Sequence, residues 1–145
     1  MKTVLVCCLL LPFAAMAQTK RPAVKKVLAV GSLKQSVSDG QVVYQKYCLT
    51  CHQTDGSGVP NMNPPLTRTK WTLGAKTILI QQVLKGSHGT VEIDGDTFHN
   101  TMPPMGQTLT DQQVADVLTY VRNNFGNKAS RVTAAEVKMV RAKTK

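Results

Sequence analysis

Aromatic residues make up only 5% of this 145-residue chain, and there is a single tryptophan. Surfaces that bind nucleic acid without sequence preference interleave stacking aromatics with basic side chains. No such patch stands here, so the formal net charge of +10 does not read as a nucleic-acid site. Cysteine is scarce too, limited to Cys7, Cys8, Cys48 and Cys51. That is too few, and too unevenly placed, for a disulfide scaffold. No apolar run reaches the roughly 20 residues of a membrane-spanning helix. Acidic residues are missing from the whole stretch 18–38, which carries Lys20, Arg21, Lys25, Lys26 and Lys34.

What is present begins with an export signal. Met1-Lys2-Thr3 is followed by an apolar run from Val4 to Ala15 and then by Ala15-Met16-Ala17, a small-x-small cleavage pattern. A short basic start, about a dozen apolar residues and such a site describe a secretory signal peptide over residues 1–17. Cleavage after Ala17 removes Cys7 and Cys8 and leaves about 128 residues, the size of one domain. An uncleaved anchor and a lipoprotein site are the competing readings of this start. The expected organisation is a basic arm or linker over 18–37, a core domain over 38–127 and a basic extension with a short helix over 128–145.

Charge follows that division. The arm holds five positive charges and the extension nets +5, while the middle nets −1. The basicity is terminal. It fits an acidic partner protein or an anionic lipid surface, and equally a simple solubilising role.

The two cysteines left after cleavage sit in Cys48-Leu49-Thr50-Cys51-His52. C-x-x-C-H is the pattern of covalent c-type haem attachment. Two thiols add across the two haem vinyl groups as thioethers, and the adjacent imidazole supplies a proximal iron ligand. The alternatives are a dithiol redox centre, half of a zinc site and a structural disulfide. A zinc site needs a second ligand pair, and the other histidines, His88 and His99, stand apart. A thioredoxin-like centre expects a βαβ setting, which the surrounding pattern lacks. One haem c per chain is the expected cofactor.

The periodicity is helical. Ser38 suits an N-cap and Asp39 the positive end of the helix dipole, with Val43, Tyr47 and Cys51 on one face. The haem motif then finishes this first helix. Residues 53–70 are punctuated by Gly56, Gly58, Pro60, Pro64 and Pro65 and read as loop. Lys76 to Lys85 reads as a helix closed by Gly86. Val91-Glu92-Ile93 and Thr97-Phe98 around Asp94-Gly95-Asp96 suit a small hairpin. Thr110-x-x-Gln113 is a capping box that opens a helix with Val114, Val117, Leu118, Val121 and Phe125 inward and Gly126 at its end. Thr133-x-x-Glu136 opens a shorter helix to about Arg141. The fold class is all-α, with long loops that only a cofactor would hold.

Haem iron has a second axial position, for which Met102, Met105, Met62, His88 and His99 are the candidates. Met62 follows His52 by only ten residues, within a loop that must first clear the ring edge. Met102 stands fifty residues on, enough to reach the far face, and precedes Pro103-Pro104. A residue before proline is pushed to extended geometry, which stiffens the loop at the sulfur. Met105 shares that loop and is the main competitor. The plain alternative for either methionine is a gap-filling core residue.

Taken together, Cys48-x-x-Cys51-His52, Gly56-x-Gly58, Pro64-Pro65-Leu66, Thr101-Met102-Pro103-Pro104-Met105-Gly106 and the stretch from Leu109 to Arg122 resemble a class I mono-haem cytochrome c of the small bacterial kind. The resemblance runs from about Asp39 to Gly126, with a weaker echo through Val137 and Arg141. It implies a cytochrome c fold, with three to five helices wrapped around one covalent haem. It implies Met102 rather than Met105 as sixth ligand, and a Pro64 carbonyl, with Pro65 second, that holds the proximal histidine. It places Leu66 and Trp71 among the cofactor-binding residues, with Trp71 and Arg68 as donors toward the propionates. It also packs Val117, Leu118, Tyr120 and Val121 across the first helix near the haem edge. His88 reads as an exposed loop residue and His99 as a neighbour of that edge. The implied function is one-electron transfer between periplasmic or membrane redox partners, such as a dehydrogenase or a terminal oxidase. The chain acts either as a monomeric carrier or as a haem subunit of such a complex. A five-coordinate haem enzyme or sensor is the remaining class, and it requires an open iron position.

Overall fold

The computed structural model describes residues 32–144. The expected signal peptide and most of the basic arm lie outside the described residues. In chain order the elements are α1 (Leu33–Tyr47), α2 (Leu49–His52), α3 (Lys70–Leu73), α4 (Lys76–Lys85), β1 (Val91–Ile93), β2 (Asp96–Phe98), α5 (Asp111–Arg122) and α6 (Ala134–Lys143). Two of the six helices among the described residues, α2 and α3, are single turns of four residues set in stretches that lack a periodic signal.

The first helix corrects the sequence reading. Its N-cap is Ser32, whose hydroxyl accepts from the Gln35 N–H at 3.2 Å, rather than Ser38. Residues 33–37 therefore belong to the domain and not to the arm. The reason is visible in the inward face, which runs Ser36, Gly40, Val43 and Tyr44. Its first two members are a serine and a glycine, which an apolar count passes over. Ser36 is buried and accepts from the Arg131 guanidinium at 3.0 Å.

α1 crosses α5 in the most extensive helix contact of the fold. Gly40 makes the crossing close, because a Cβ there would overlap the Asp116 carbonyl and press on Tyr120. A glycine inside a helix costs about 1 kcal/mol relative to alanine, and here the backbone approach explains it. Tyr44, Tyr120 and Phe125 fill the crossing, with ring centroids 5.2–5.5 Å apart. The core continues through Leu79, Ile80 and Leu84 of α4 and Val114, Val117, Leu118 and Val121 of α5.

The C-terminal segment is also corrected. The expected short helix is there, but it is part of the core and not only a basic extension. Val132, Val137 and Val140 are buried, and α6 packs on both α5 and α4. The Thr133/Glu136 capping box forms as the spacing predicts. Arg141 spends its charge inside the fold, with Nε donating to Asp111 at 2.6 Å and its terminal nitrogens to the carbonyls of Gly106 and Leu109. α5 ends at Arg122 rather than at Gly126. The buried Arg122 guanidinium donates to the carbonyls of Thr72, Gly74 and Ser130 and ties α3 to the chain after α5. The hairpin forms as expected, with Val91 opposite Phe98 and an Asp94-Gly95 turn.

Lys76 of α4 donates to Glu136 of α6 at 2.9 Å. Burial raises the Glu136 pKa, but the bonds from Lys76 and Thr133 outweigh it and hold the carboxyl below its ordinary 4.5. A folded-state pKa below the unfolded one gives stability that is present above about 4.5 and is lost as pH falls through the folded value. Thermal melts are expected to lose stability on acidification, and Glu136→Gln to flatten that slope. An unchanged slope would mean that the clamp contributes nothing.

Candidate functional site

Between α4, α5, the hairpin and the loops 59–69 and 99–106 lies one large cleft, enclosing about 1220 Å³ with its open mouth. Cys48, Cys51, His52, Pro64, Pro65, Leu66, Trp71 and Met102 all line it. These eight expected cofactor-binding residues thus border one space.

The haem motif sits at a break. α1 ends with the Cys48 N–H donating to the Tyr44 carbonyl at 2.9 Å, and a separate turn, α2, carries Cys51 and His52. The motif therefore begins on the cap of the first helix instead of finishing it, with Cys48 (φ −117, ψ −31) serving as C-cap of α1 and N-cap of α2. Gln53, at φ +64, ends the turn, and its carbonyl accepts from the Tyr44 hydroxyl at 2.6 Å. Burial pushes the Cys48 thiol up to about 11, and charge on Cys51 adds to the rise.

His52 Nδ1 stands 3.0 Å from the Pro64 carbonyl. A carbonyl only accepts, so Nδ1 carries the proton and Nε2 keeps its lone pair for a metal. Burial lowers the His52 pKa, against the opposing pull of the Pro64 bond. Burial outweighs the bond, and the net downward shift favours the neutral imidazole, the form that ligates iron. Asn127 holds the same loop, donating to the carbonyls of Leu66 and Val121 at 2.7 Å each and accepting from the Arg68 N–H at 2.7 Å.

The opposite side is the methionine loop. Met102 pairs with Ser87 through two backbone bonds of 3.0 Å, and its sulfur accepts from Gln82 at 3.5 Å. Gly86, at φ +67, lets α4 approach this close, since a Cβ there would overlap the Met102 carbonyl. Met105 lines the cleft too, but it also packs against the hydrophobic core. The two loops meet directly. Asn61 and Met62 carbonyls accept from His99 and Asn100 N–H groups at 3.1 Å, and Asn100 donates to Asn63 at 3.1 Å.

Other expectations separate here. Val117, Leu118 and Val121 face the cleft, whereas Tyr120 faces α1 in the aromatic crossing. Arg68 does not line the cleft and donates instead to the Gly126 carbonyl at 3.2 Å. His88 is exposed, as read. His99 does not line the cleft either, and its Nδ1 sits 3.3 Å from the Thr90 hydroxyl. Met62 is exposed and outside the lining. Sequence reasoning missed Gln82, Ser87, Asn63, Asn100 and Asn127, whose parts come from loop pairing that no local pattern encodes. It read the hairpin but did not anticipate that Ile93 and Phe98 wall the cleft.

This donor set fits haem. Two cysteines flank one turn, the neighbouring imidazole has one nitrogen committed and one free, a thioether lines the same cleft, and the remaining walls are mostly apolar. Among the described residues no group of three or more His, Cys, Asp and Glu side chains gathers as an alternative metal site.

Comparison with known proteins agrees. The cytochrome c family profile matches residues 37–125. Cytochrome c-552 of Thermus thermophilus is 33% identical over 126 residues, covering 80% of this chain and 83% of its own length. The cytochrome c subunit of the quinone-dependent alcohol dehydrogenase of Gluconacetobacter polyoxogenes is 33% identical over 85% of this chain. The gluconate 2-dehydrogenase cytochrome c subunit of Pantoea cypripedii is 38% identical over 85% of this chain. The chain spans only 26% and 28% of those two subunits. On the haem motif, the cleft and these matches, the chain belongs to the cytochrome c family and serves one-electron transfer through covalently bound haem c.

Proposed function

We propose that this protein is an exported electron carrier whose single haem is held by thioethers from Cys48 and Cys51 and ligated axially by His52 and Met102. When bound, the haem supplies an iron centre that cycles between ferric and ferrous states. The observation that carries the reading is that His52 and Met102 line one cleft, each on a loop pinned by backbone bonds. Pro64 orients the imidazole, and Ser87 anchors the methionine. Fixed ligands leave little to rearrange when an electron arrives or leaves. Leu66 and Trp71 contribute to keeping water from the ring. His/Met ligation and apolar burial both raise the reduction potential, because each favours the less charged reduced site.

The leader pattern at 1–17 supports export to the periplasm, where a redox partner docks through a small transient interface. No described helix is long and apolar enough to cross a membrane. The basic arm is the candidate for contact with a membrane surface or an acidic partner. Arg141 is already committed within the fold and leaves the tail with less free charge for that role. A second reading is supported by the dehydrogenase cytochrome subunits among the relatives: the haem domain works inside a larger complex that oxidises a substrate.

Two measurements test these readings. The oxidised holoprotein is expected to show the weak near-infrared absorption of iron–thioether ligation, and its absence sinks the His/Met assignment. Purification from membranes separates the two cellular readings. A dehydrogenase or oxidase that stays bound through gel filtration favours the subunit, and a monomer in the soluble fraction favours the free carrier.

A further inference from the structure

The cleft is walled without charge. None of its lining residues is an Asp, Glu, Lys or Arg. A side-chain charge that sets the field inside it must therefore stand behind the wall, and one does. Arg122, the last residue of α5, follows the cleft-lining Val121 and is only 3% exposed. Its guanidinium is surrounded by neutral acceptors. Nη1 donates to the carbonyls of Thr72 at 2.7 Å and Gly74 at 3.0 Å, and Nε to the carbonyl of Ser130 at 2.9 Å. Nη2 reaches the Ser130 hydroxyl at 3.5 Å. Thr72 and its neighbour Trp71 line the cleft as well, so the cation bonds directly to the backbone of the wall.

Carbonyl oxygens satisfy the donors and leave the charge in place. Among the described residues no carboxylate forms an ion pair with Arg122. Glu136 of α6 acts on it electrostatically, but that carboxylate is bonded to Lys76. Asp116, the other buried charged side chain among the described residues, is held by Gln112. A guanidinium does not give up its proton in a protein, so the charge is permanent.

We infer that Arg122 is a tuning residue, a fixed buried cation behind the Trp71–Thr72 wall whose field raises the reduction potential of the haem. The inference rests on the haem c that the cleft receives and not on which methionine is the sixth ligand. The oxidised centre carries one more positive charge than the reduced centre. A second positive charge held nearby in a weakly polar interior disfavours it. The guanidinium is kept in place because acceptors on α3 and on the segment after α5 grip it from two sides. Salt screens a buried charge poorly, so the effect persists at ionic strengths that cancel the influence of exposed lysines.

The test uses the holoprotein and reads the ferric/ferrous ratio at fixed ambient potential, at low and at high salt. Arg122→Gln removes the charge and keeps an amide donor. Arg122→Lys keeps the charge and loses the fork. Ser130→Asp leaves the backbone bonds of Arg122 in place and sets a carboxylate beside Nη2, so it neutralises the cation even where Arg122→Gln fails to fold. Lys128→Gln removes an exposed positive charge from the same segment. Arg122→Gln and Ser130→Asp are expected to shift the ratio about threefold or more toward the ferric form, by the same factor at low and high salt. Arg122→Lys should stay closer to the parent than to Arg122→Gln. Lys128→Gln should give a small shift that salt abolishes. A parent-like ratio in Ser130→Asp or in a folded Arg122→Gln overturns the inference. So does an Arg122→Lys ratio shifted as far as that of Arg122→Gln, which would make Arg122 a structural clamp alone. The near-infrared band of the parent tests the Met102 assignment separately, so the two readings fail independently.

Discussion

Met102→Ala is expected to abolish the near-infrared iron–thioether band completely, with the haem still covalently attached. Cys48, Cys51 and His52 sit on α2 and its cap, and the Pro64 carbonyl holds His52, none of which the substitution touches. The open position should then bind carbon monoxide in the reduced protein, which the parent resists. The potential should fall, because the thioether proposed to favour ferrous iron is gone. Met105→Ala is the informative partner. Met105 packs against the core, so its truncation costs about 2 kcal/mol or more by cavity formation. It leaves the Met102–Ser87 bridge in place, and the band should persist. A band lost in Met105→Ala and kept in Met102→Ala transfers the ligand to Met105. The chemical contrast is sharp because both sulfurs line the cleft, yet only Met102 combines a two-way backbone anchor with a side-chain donor on its sulfur.

Gly40→Val is expected to be strongly destabilising, although it lies outside the haem motif. The new Cβ would overlap the Asp116 carbonyl and crowd Tyr120, both fixed on α5. Neither can yield cheaply, since one is helix backbone and the other is locked between Tyr44 and Phe125. Overpacking of this kind costs about 3 kcal/mol, which lowers Tm by about 10 °C in a domain of this size. The aromatic crossing lies next to the haem turn, because Tyr44 also bonds the Gln53 carbonyl behind His52. Weaker haem attachment should therefore accompany the loss of stability. Thermal melts followed by circular dichroism decide it, with Val42→Ala as control on the exposed face of the same helix. A Tm within about 2 °C of the parent would show that α1 and α5 can separate without penalty.

Tail and arm also change meaning once the fold is known. In the sequence the termini share one property, positive charge. In the structure α6 is core, with Val137 fully buried, Arg141 holding Gly106 at the end of the methionine loop and Glu136 clamped to α4. A truncation at residue 127 should thus loosen the methionine loop and not simply remove charge.

Some features of this protein are local, and the sequence by itself determined them. C-x-x-C-H names the cofactor because its chemistry is confined to five consecutive residues. The two capping boxes and the Asp94-Gly95 turn form where their spacing places them, since each is satisfied within four residues. The link between Pro64 and His52 and the choice of Met102 came from family resemblance, and the loop geometry accords with both. Other features needed the tertiary structure because their partners lie far apart in the chain. Gly40 matters only against Asp116, Asn127 only against Leu66 and Arg68, and Gln82 only against a methionine twenty residues away. α1 begins early because Ser36 meets Arg131, a contact across 95 residues that no period reports. The sequence carried the chemistry of the haem site, and the packing of distant loops decided how rigidly each ligand is held.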